Sequence, residues 1–266
     1  MHISCCSWYN VTDMTREKQL DFLINTLSPS MTIPQTLEEK WRVFQGLVNV
    51  REPKPLGNDF LAVQDELLQS LIAEKGITDI DTLQPIRDSI YLWRGDITTL
   101  KVDAIVNAAN SAMLGCFVPC HACIDNAIHT YAGVQLRLEC AEIMTKQGCP
   151  EPTGSAKITA AYNLPCKYIL HTVGPIIHST VSDEDRQLLV SSYRSCFELT
   201  AENSVKSIAF CCISTGEFRF PNEEAAKIAI QTVSNFLQAG DNNLNMKVVF
   251  NVFKENDEQI YQRLLG

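Results

Sequence analysis

Ala104-Ile105-Val106-Asn107-Ala108-Ala109-Asn110 reads as a buried β-strand that leaves its sheet on polar residues. Small and β-branched side chains in a row, without polar alternation, suit a strand covered on both faces, as in a parallel sheet. The signal recurs in Tyr168-Ile169-Leu170-His171-Thr172-Val173, Ser207-Ile208-Ala209-Phe210-Cys211-Cys212-Ile213 and Lys247-Val248-Val249-Phe250-Asn251-Val252. Ile90-Tyr91-Leu92-Trp93-Arg94-Gly95-Asp96-Ile97 reads as a strand entering a turn. Residues 185–203 and 223–237 carry helical spacing, so strands and helices alternate. The expected fold is α/β, a sheet covered by helices on both faces. Ligands of such folds bind outside the carboxyl ends of the strands, where Asn110, Ser214 and the residues after Val252 should gather.

The first third reads differently. Apolar positions recur through Thr15 to Ile24, then at Leu37, Trp41, Val43, Phe44 and Leu47, and again from Phe60 to Ile72 before Gly76. Pro53 and Pro55 interrupt them. The expectation is a helical extension over residues 1–88 and an α/β domain over 89–266.

A chain of 266 residues with 45% hydrophobic composition can bury one substantial core. Its net charge of -9 argues against nucleic acid as a partner, yet helix ends and backbone amides still permit a compact anionic ligand. No run reaches about 18 apolar residues and no basic, apolar leader is evident, so the expectation is a cytoplasmic protein without a membrane partner. Eleven cysteines, an odd count in a long chain, fit thiols used in packing and metal binding better than a disulfide framework.

Those thiols are densest in Cys116-Phe117-Val118-Pro119-Cys120-His121-Ala122-Cys123-Ile124-Asp125-Asn126. Cys116, His121 and Cys123 form a soft donor set suited to zinc, with a fourth position left for water or substrate. Cys120 is an alternative fourth ligand, and ordinary packing of all these thiols is the plain alternative. Asp125 sits where a helix should begin, as a cap or as a catalytic carboxylate. His129 follows one turn later and reads most simply as a packing residue.

Four other stretches suit a nucleotide pocket. Gly95-Asp96-Ile97-Thr98 pairs a turn with a carboxylate able to accept from an exocyclic amine. Asn107 and Asn110 flank two alanines, offering amides where a ligand can approach closely, or stitching their own loop. Ser214-Thr215-Gly216-Glu217-Phe218 can present consecutive amides to a pyrophosphate, although it lacks the lysine of a P-loop. Phe253 lies beyond the last strand, as a purine platform or a core residue.

Gly95-Asp96-Ile97-Thr98, Val106-Asn107-Ala108-Ala109-Asn110 and Ile213-Ser214-Thr215-Gly216-Glu217-Phe218, with Tyr168 to Pro175, together resemble a macrodomain over roughly residues 89–266. The closer resemblance is to the zinc-containing microbial macrodomains, through Gly115-Cys116, Pro119, His121 and Cys123 to Asn126. It implies a three-layer fold with a mixed sheet, zinc on Cys116, His121 and Cys123, and Cys120 outside the ligand set. It also implies an ADP-ribose pocket: Asp96 and Ile97 at the adenine, Phe253 stacked on it, Asn110 at the distal ribose, residues 214–218 around the pyrophosphate, and Asn107 among the binding residues.

Members of that subgroup resemble enzymes that remove mono-ADP-ribose from acidic side chains. They accompany a sirtuin-like ADP-ribosyltransferase and a lipoyl-carrier protein in the response to oxidative stress. Asn110 and Asp125 are then the expected catalytic residues, with either zinc or Asp125 activating water. The main rival is a reader that binds ADP-ribose without hydrolysing it and uses zinc to shape the pocket. A phosphodiesterase releasing AMP and a nucleic-acid binder are the others.

Overall fold

The computed structural model describes residues 14–239 and 246–266, so residues 1–13 of the expected extension lie outside the described residues. The described chain opens with helices α1 (Arg16–Leu27), α2 (Leu37–Val50) and α3 (Asn58–Lys75), followed by the short strand β1 (Thr78–Asp79). A capping box fixes the start of α2: the Thr36 hydroxyl accepts from the Glu39 amide while the Glu39 carboxylate returns to the Thr36 amide. Leu20, Leu23, Ile24, Phe44, Phe60, Leu67 and Leu68 form an apolar cluster among the three helices. Ile72 at the end of α3 instead joins the main core.

The remaining elements are β2 (Ile90–Arg94), β3 (Leu100–Lys101), β4 (Ala104–Ala108), α4 (Ile124–Ala132), α5 (Val134–Gln147), β5 (Ala156–Ala160), β6 (Tyr168–Thr172), α6 (Asp183–Glu202), β7 (Ser207–Phe210), α7 (Asn222–Gln238), β8 (Lys247–Val252) and α8 (Glu255–Leu265). Strands and helices alternate from β6 onward, as read from the sequence, while strands β2 to β4, helices α4 and α5, and strands β5 and β6 follow one another in succession. Strands β2-β8-β7-β4-β6-β5 form one sheet in that order, and β1 pairs separately with β3. All pairings in the large sheet are parallel except β5 with β6, so the sheet is mixed with its antiparallel strand at an edge.

Central position explains the apolar monotony of β4: Ala104, Ile105 and Val106 have no solvent exposure. Helices α6, α7 and α8 pack side by side, while α4 packs on α5, α2 and α3, giving the helical layers on either side of the sheet. Parallel strands with crossover helices bring the exits of β2, β4, β7 and β8 to one edge, and that common edge creates the site.

Candidate active site

At this edge lies a cleft of about 630 Å³. It is lined from the β2 exit by Asp96 and Ile97, from the β4 exit by Asn110, and from the β7 exit by Ser214 through Phe218. Phe253 beyond β8 lines it too, as do Cys116, His121, Cys123 and Asp125 at the start of α4. These sequence-singled residues therefore share one wall system. Asn107 does not: it is fully buried under the cleft, with its amide committed to Asp125 and His171. Asn107 therefore reaches the cleft through Asp125, to which its Nδ2 donates, rather than by lining it.

The stretch 116–126 folds as a loop running into α4. Cys116 Sγ lies 3.6 Å from His121 Nδ1, and the donor atoms of Cys116, His121 and Cys123 all lie within 4.8 Å of one another. Zinc bonds of about 2.0–2.3 Å in a tetrahedron require donors about 3.3–3.8 Å apart; the Cys116–His121 separation falls in that window, and two thiols and an imidazole gathered within 4.8 Å are the donor types for three corners of a zinc site. Burial pushes the Cys123 thiol up to about 12, so a cation is what would ionise it. Cys120 turns away and donates its thiol to the carbonyl of Arg42 at 3.4 Å, which removes it from the cluster. Cys123 also caps α4, its sulfur accepting from the Asn126 amide. Asp125 therefore has no capping duty.

Asp125 is only 5% exposed. Its Oδ1 accepts from Asn107 Nδ2 at 2.8 Å and lies 3.5 Å from His129 Nε2. No partner for Oδ2 is present among the described residues. Burial raises the carboxyl pKa to about 6, partly opposed by the Asn107 hydrogen bond. The same burial pushes His129 well below its ordinary range, so the imidazole is neutral beside the carboxyl group. The His129 ring also occupies the space a β-carbon on Gly115 would need, 2.9 Å away, while Gly115 itself takes φ +83°. Asn110 binds the same turn, donating to Gly115 O at 3.1 Å and accepting from the Ala112 amide at 3.0 Å. The loop-stitching role and the position in the cleft wall thus coexist at Asn110.

Across the cleft, Ser214 adopts φ +65° and its buried hydroxyl has no hydrogen-bond partner among the described residues. Gly174 lies beneath it: a β-carbon there would sit 2.0 Å from Ser214 Oγ. The N–H groups of Gly216, Glu217 and Phe218 find no acceptor among the described residues. Together they form a ready concavity for an anion. At the far end, Asp96 caps a 3-10 turn through the Thr98 amide, at 3.0 Å, and accepts from Lys75 Nζ at 2.7 Å. Burial works to raise the Asp96 carboxyl, but the Lys75 and Thr98 hydrogen bonds outweigh it and hold it below the usual carboxylate range. Phe253 is 75% exposed, a free ring face at the same end.

Three contributors come from outside the motifs. Gln45 of α2 lines the cleft, Lys75 of α3 holds Asp96, and Asn49 of α2 binds the Cys120 amide. Nothing local distinguishes them from other polar helix residues, since their partners lie distant in sequence.

A family model described as Macro domain matches residues 106–229. A protein-ADP-ribose hydrolase of Treponema medium is 55% identical over 263 residues, covering 95% of this chain and 100% of its own length. One from Staphylococcus aureus strain MSSA476 is 49% identical, covering 93% and 95%. A probable bifunctional ADP-ribose hydrolase/ADP-ribosyltransferase of Fusarium oxysporum is 42% identical over 82% of this chain but only 39% of its own. Among solved structures, the Trypanosoma brucei macrodomain in complex with ADP-ribose matches with a TM-score of 0.64 at 32% identity, covering 80% of this chain and 92% of that one. The Oceanobacillus iheyensis macrodomain with ADP matches with a TM-score of 0.61 at 39% identity, covering 69% and 94%. A mixed sheet with its cleft at the strand exits, and relatives matched along nearly the whole length, lead to one conclusion: this chain belongs to the macrodomain family.

Proposed function

We propose that this protein is a protein-ADP-ribose hydrolase that removes mono-ADP-ribose from an aspartate or glutamate side chain of a modified protein. The observation that carries the reading is the order of groups along one cleft. In the strand order β2-β8-β7-β4, Asp96 and Phe253 stand at the exits of β2 and β8, the unpaired loop amides at the exit of β7, and Asp125, bonded to Asn107 of β4, beside a Cys/His/Cys cluster. That order matches adenine, pyrophosphate and terminal ribose in turn. Relatives sharing about half of all residues over nearly their full length carry the hydrolase name.

In this reading Phe253 stacks on adenine and Asp96 accepts from its exocyclic amine. The Gly216, Glu217 and Phe218 amides bind the pyrophosphate, and Ser214 Oγ offers a further donor. Asn110 retains one amide hydrogen beyond its bond to Gly115, available to a ribose hydroxyl. Cys116, His121 and Cys123 would hold zinc, which supplies Lewis-acid polarisation of an oxygen at the terminal ribose. Asn107 locks Oδ1 of Asp125, and Oδ2 accepts a proton from water. Water adds across the ester, and that proton returns to the departing oxygen. The products are the free carboxyl group on the target and free ADP-ribose. Fixed positions for sugar, phosphates and base lower the entropic barrier to this arrangement.

The Fusarium relative joins both activities by name in one chain, which supports an ADP-ribosyltransferase acting opposite this enzyme. A sirtuin-like transferase and a lipoyl-carrier target are the partners proposed from the family resemblance, with the cytoplasm as location. No helix among the described residues is long and apolar enough to cross a membrane.

The test is product identification by mass spectrometry after incubating aspartate-, serine- and arginine-linked ADP-ribosyl proteins with zinc-loaded enzyme. Free ADP-ribose and restored carrier from the aspartate-linked substrate support the proposal. Binding without turnover makes the protein a reader, and release of AMP makes it a phosphodiesterase.

A further inference from the structure

We propose that Asn49, on a helix outside the sheet, is a positioning residue for the metal-binding loop, holding the backbone around His121 so that the Cys116, His121 and Cys123 donors converge on zinc. The inference rests on the zinc reading above and assigns α2 a part in it.

Asn49 is 1% exposed and uses both ends of its amide. Oδ1 accepts from the Cys120 N–H at 2.9 Å, and Nδ2 donates to Thr130 Oγ1 at 2.9 Å. Cys120 needs an external hold because it adopts φ +54°, a left-handed conformation that a residue with a β-carbon seldom takes. Its sulfur is tied to the same helix through the Arg42 carbonyl. Cys120, immediately before His121, is therefore anchored to α2 twice, through its N–H and through its sulfur.

The second arm reaches the other side of the loop. Thr130 Oγ1 donates to Asn126 Oδ1 at 3.3 Å, and Asn126 Nδ2 donates to the Val118 carbonyl at 3.0 Å. The backbone N–H of Asn126 donates to Cys123 Sγ at 3.4 Å, the cap bond of α4. One buried side chain thus connects, directly or through Thr130 and Asn126, to Val118, Cys120 and Cys123, which bracket His121. Only an amide fits this role: Asp lacks the donor, and Leu lacks both donor and acceptor. Groups that orient metal ligands in this way typically govern metal affinity by about 10- to 100-fold.

The experiment measures zinc affinity by chelator competition on full-length, metal-stripped protein, with thermal melting of the metal-free forms and ADP-ribose titration alongside. Asn49→Ala should bind zinc roughly 10- to 100-fold more weakly than wild type. Thr130→Val, nearly isosteric, should weaken zinc in the same direction, and Thr130→Ser should restore it. ADP-ribose affinity of the metal-free proteins should hold within about threefold, because the pyrophosphate loop and Asp96 are untouched. Wild-type zinc affinity in Asn49→Ala, or in Thr130→Val should Asn49→Ala not fold, overturns the proposal even if melting temperature falls, since Asn49 would then be a packing residue only. Wild-type protein that binds no zinc, or a Cys116→Ser variant that binds it equally well, overturns the metal reading and this inference with it.

Discussion

Asn107 donates a 2.8 Å hydrogen bond to Oδ1 of Asp125, fastening the first turn of α4 to the centre of the sheet. Register places Asn107 opposite His171 on β6, whose Nδ1 lies 3.1 Å from the same amide nitrogen. The carboxylate is thus oriented from the buried centre of the sheet, with Oδ2 left for the cleft. Asn107→Ala should lower turnover about 100-fold through misplacement of Asp125, and Asp125→Ala should lower it by about 10²–10⁴-fold. Isothermal titration should show ADP-ribose affinity changed far less in both, because neither residue binds the adenine or the phosphates. Steady-state kinetics on an ester-linked ADP-ribosyl protein checks the turnover.

Loss of metal ligands should separate chemistry from binding. Cys116→Ser is expected to lose zinc and turnover together while keeping ADP-ribose affinity, since the loop amides and Phe253 lie outside the cluster; His121→Ala should lose both as well, and it also removes the imidazole that lies 3.6 Å from the Glu217 carboxylate of the loop. Metal analysis with parallel hydrolysis assays is the check. Full activity in a zinc-free variant would assign the cluster a structural part at most.

Phe253 exposes most of its ring, so its replacement removes little packing. Phe253→Ala should weaken ADP-ribose binding by roughly 1–3 kcal/mol, the usual worth of a base–aromatic stack. Melting temperature without ligand should be nearly unchanged. A large loss of stability with unaltered affinity would reassign the ring to the core.

The Lys75–Asp96 pair makes a pH prediction. Because Asp96 is held below its ordinary range in the folded protein, its stabilising contribution is present above the unfolded carboxylate pKa and is lost as pH falls through the depressed folded value. Asp96→Asn should therefore reduce the acid-side loss of stability relative to wild type, without altering the melting temperature's trend between neutral and mildly alkaline pH. Thermal melts across that range test it. Identical acid limbs would show that the pair contributes nothing measurable.

How much of this is legible in the sequence follows from how local each signal is. The central strands β4, β6, β7 and β8 are readable because burial on both faces leaves them mostly apolar, with a few polar residues such as Asn107, His171, Thr172 and Asn251. Strand β5 is not, since an edge strand of sequence Ala156-Lys157-Ile158-Thr159-Ala160 shows neither an apolar run nor clear alternation. Helix α5 is silent for a related reason: only Leu136, Arg137 and Cys140 are buried, leaving no apolar stripe. Helix α8 is mostly polar, with Ile260, Tyr261 and Leu265 as its apolar contacts to the core.

Within the site, the cluster of Cys116, His121 and Cys123 is visible because its donors are near neighbours in the chain. Asn107 belongs to the expected strand and is fully buried, joined to the cleft through Asp125, a contact between residues that strand alternation alone does not reveal. The contributions of Asn49 and Lys75 depend on contacts to residues far along the chain, and no local pattern carries those.

The central claim is that one cleft sets the metal cluster and Asp125 beside the terminal ribose of bound ADP-ribose. Crystals grown with zinc and ADP-ribose, with anomalous data collected at the zinc edge, test it most directly. The account predicts an anomalous peak among Cys116, His121 and Cys123, with the terminal ribose next to it and the adenine against Phe253. A peak elsewhere in the chain, or a terminal ribose at the Phe253 end with adenine at the cluster, would contradict it.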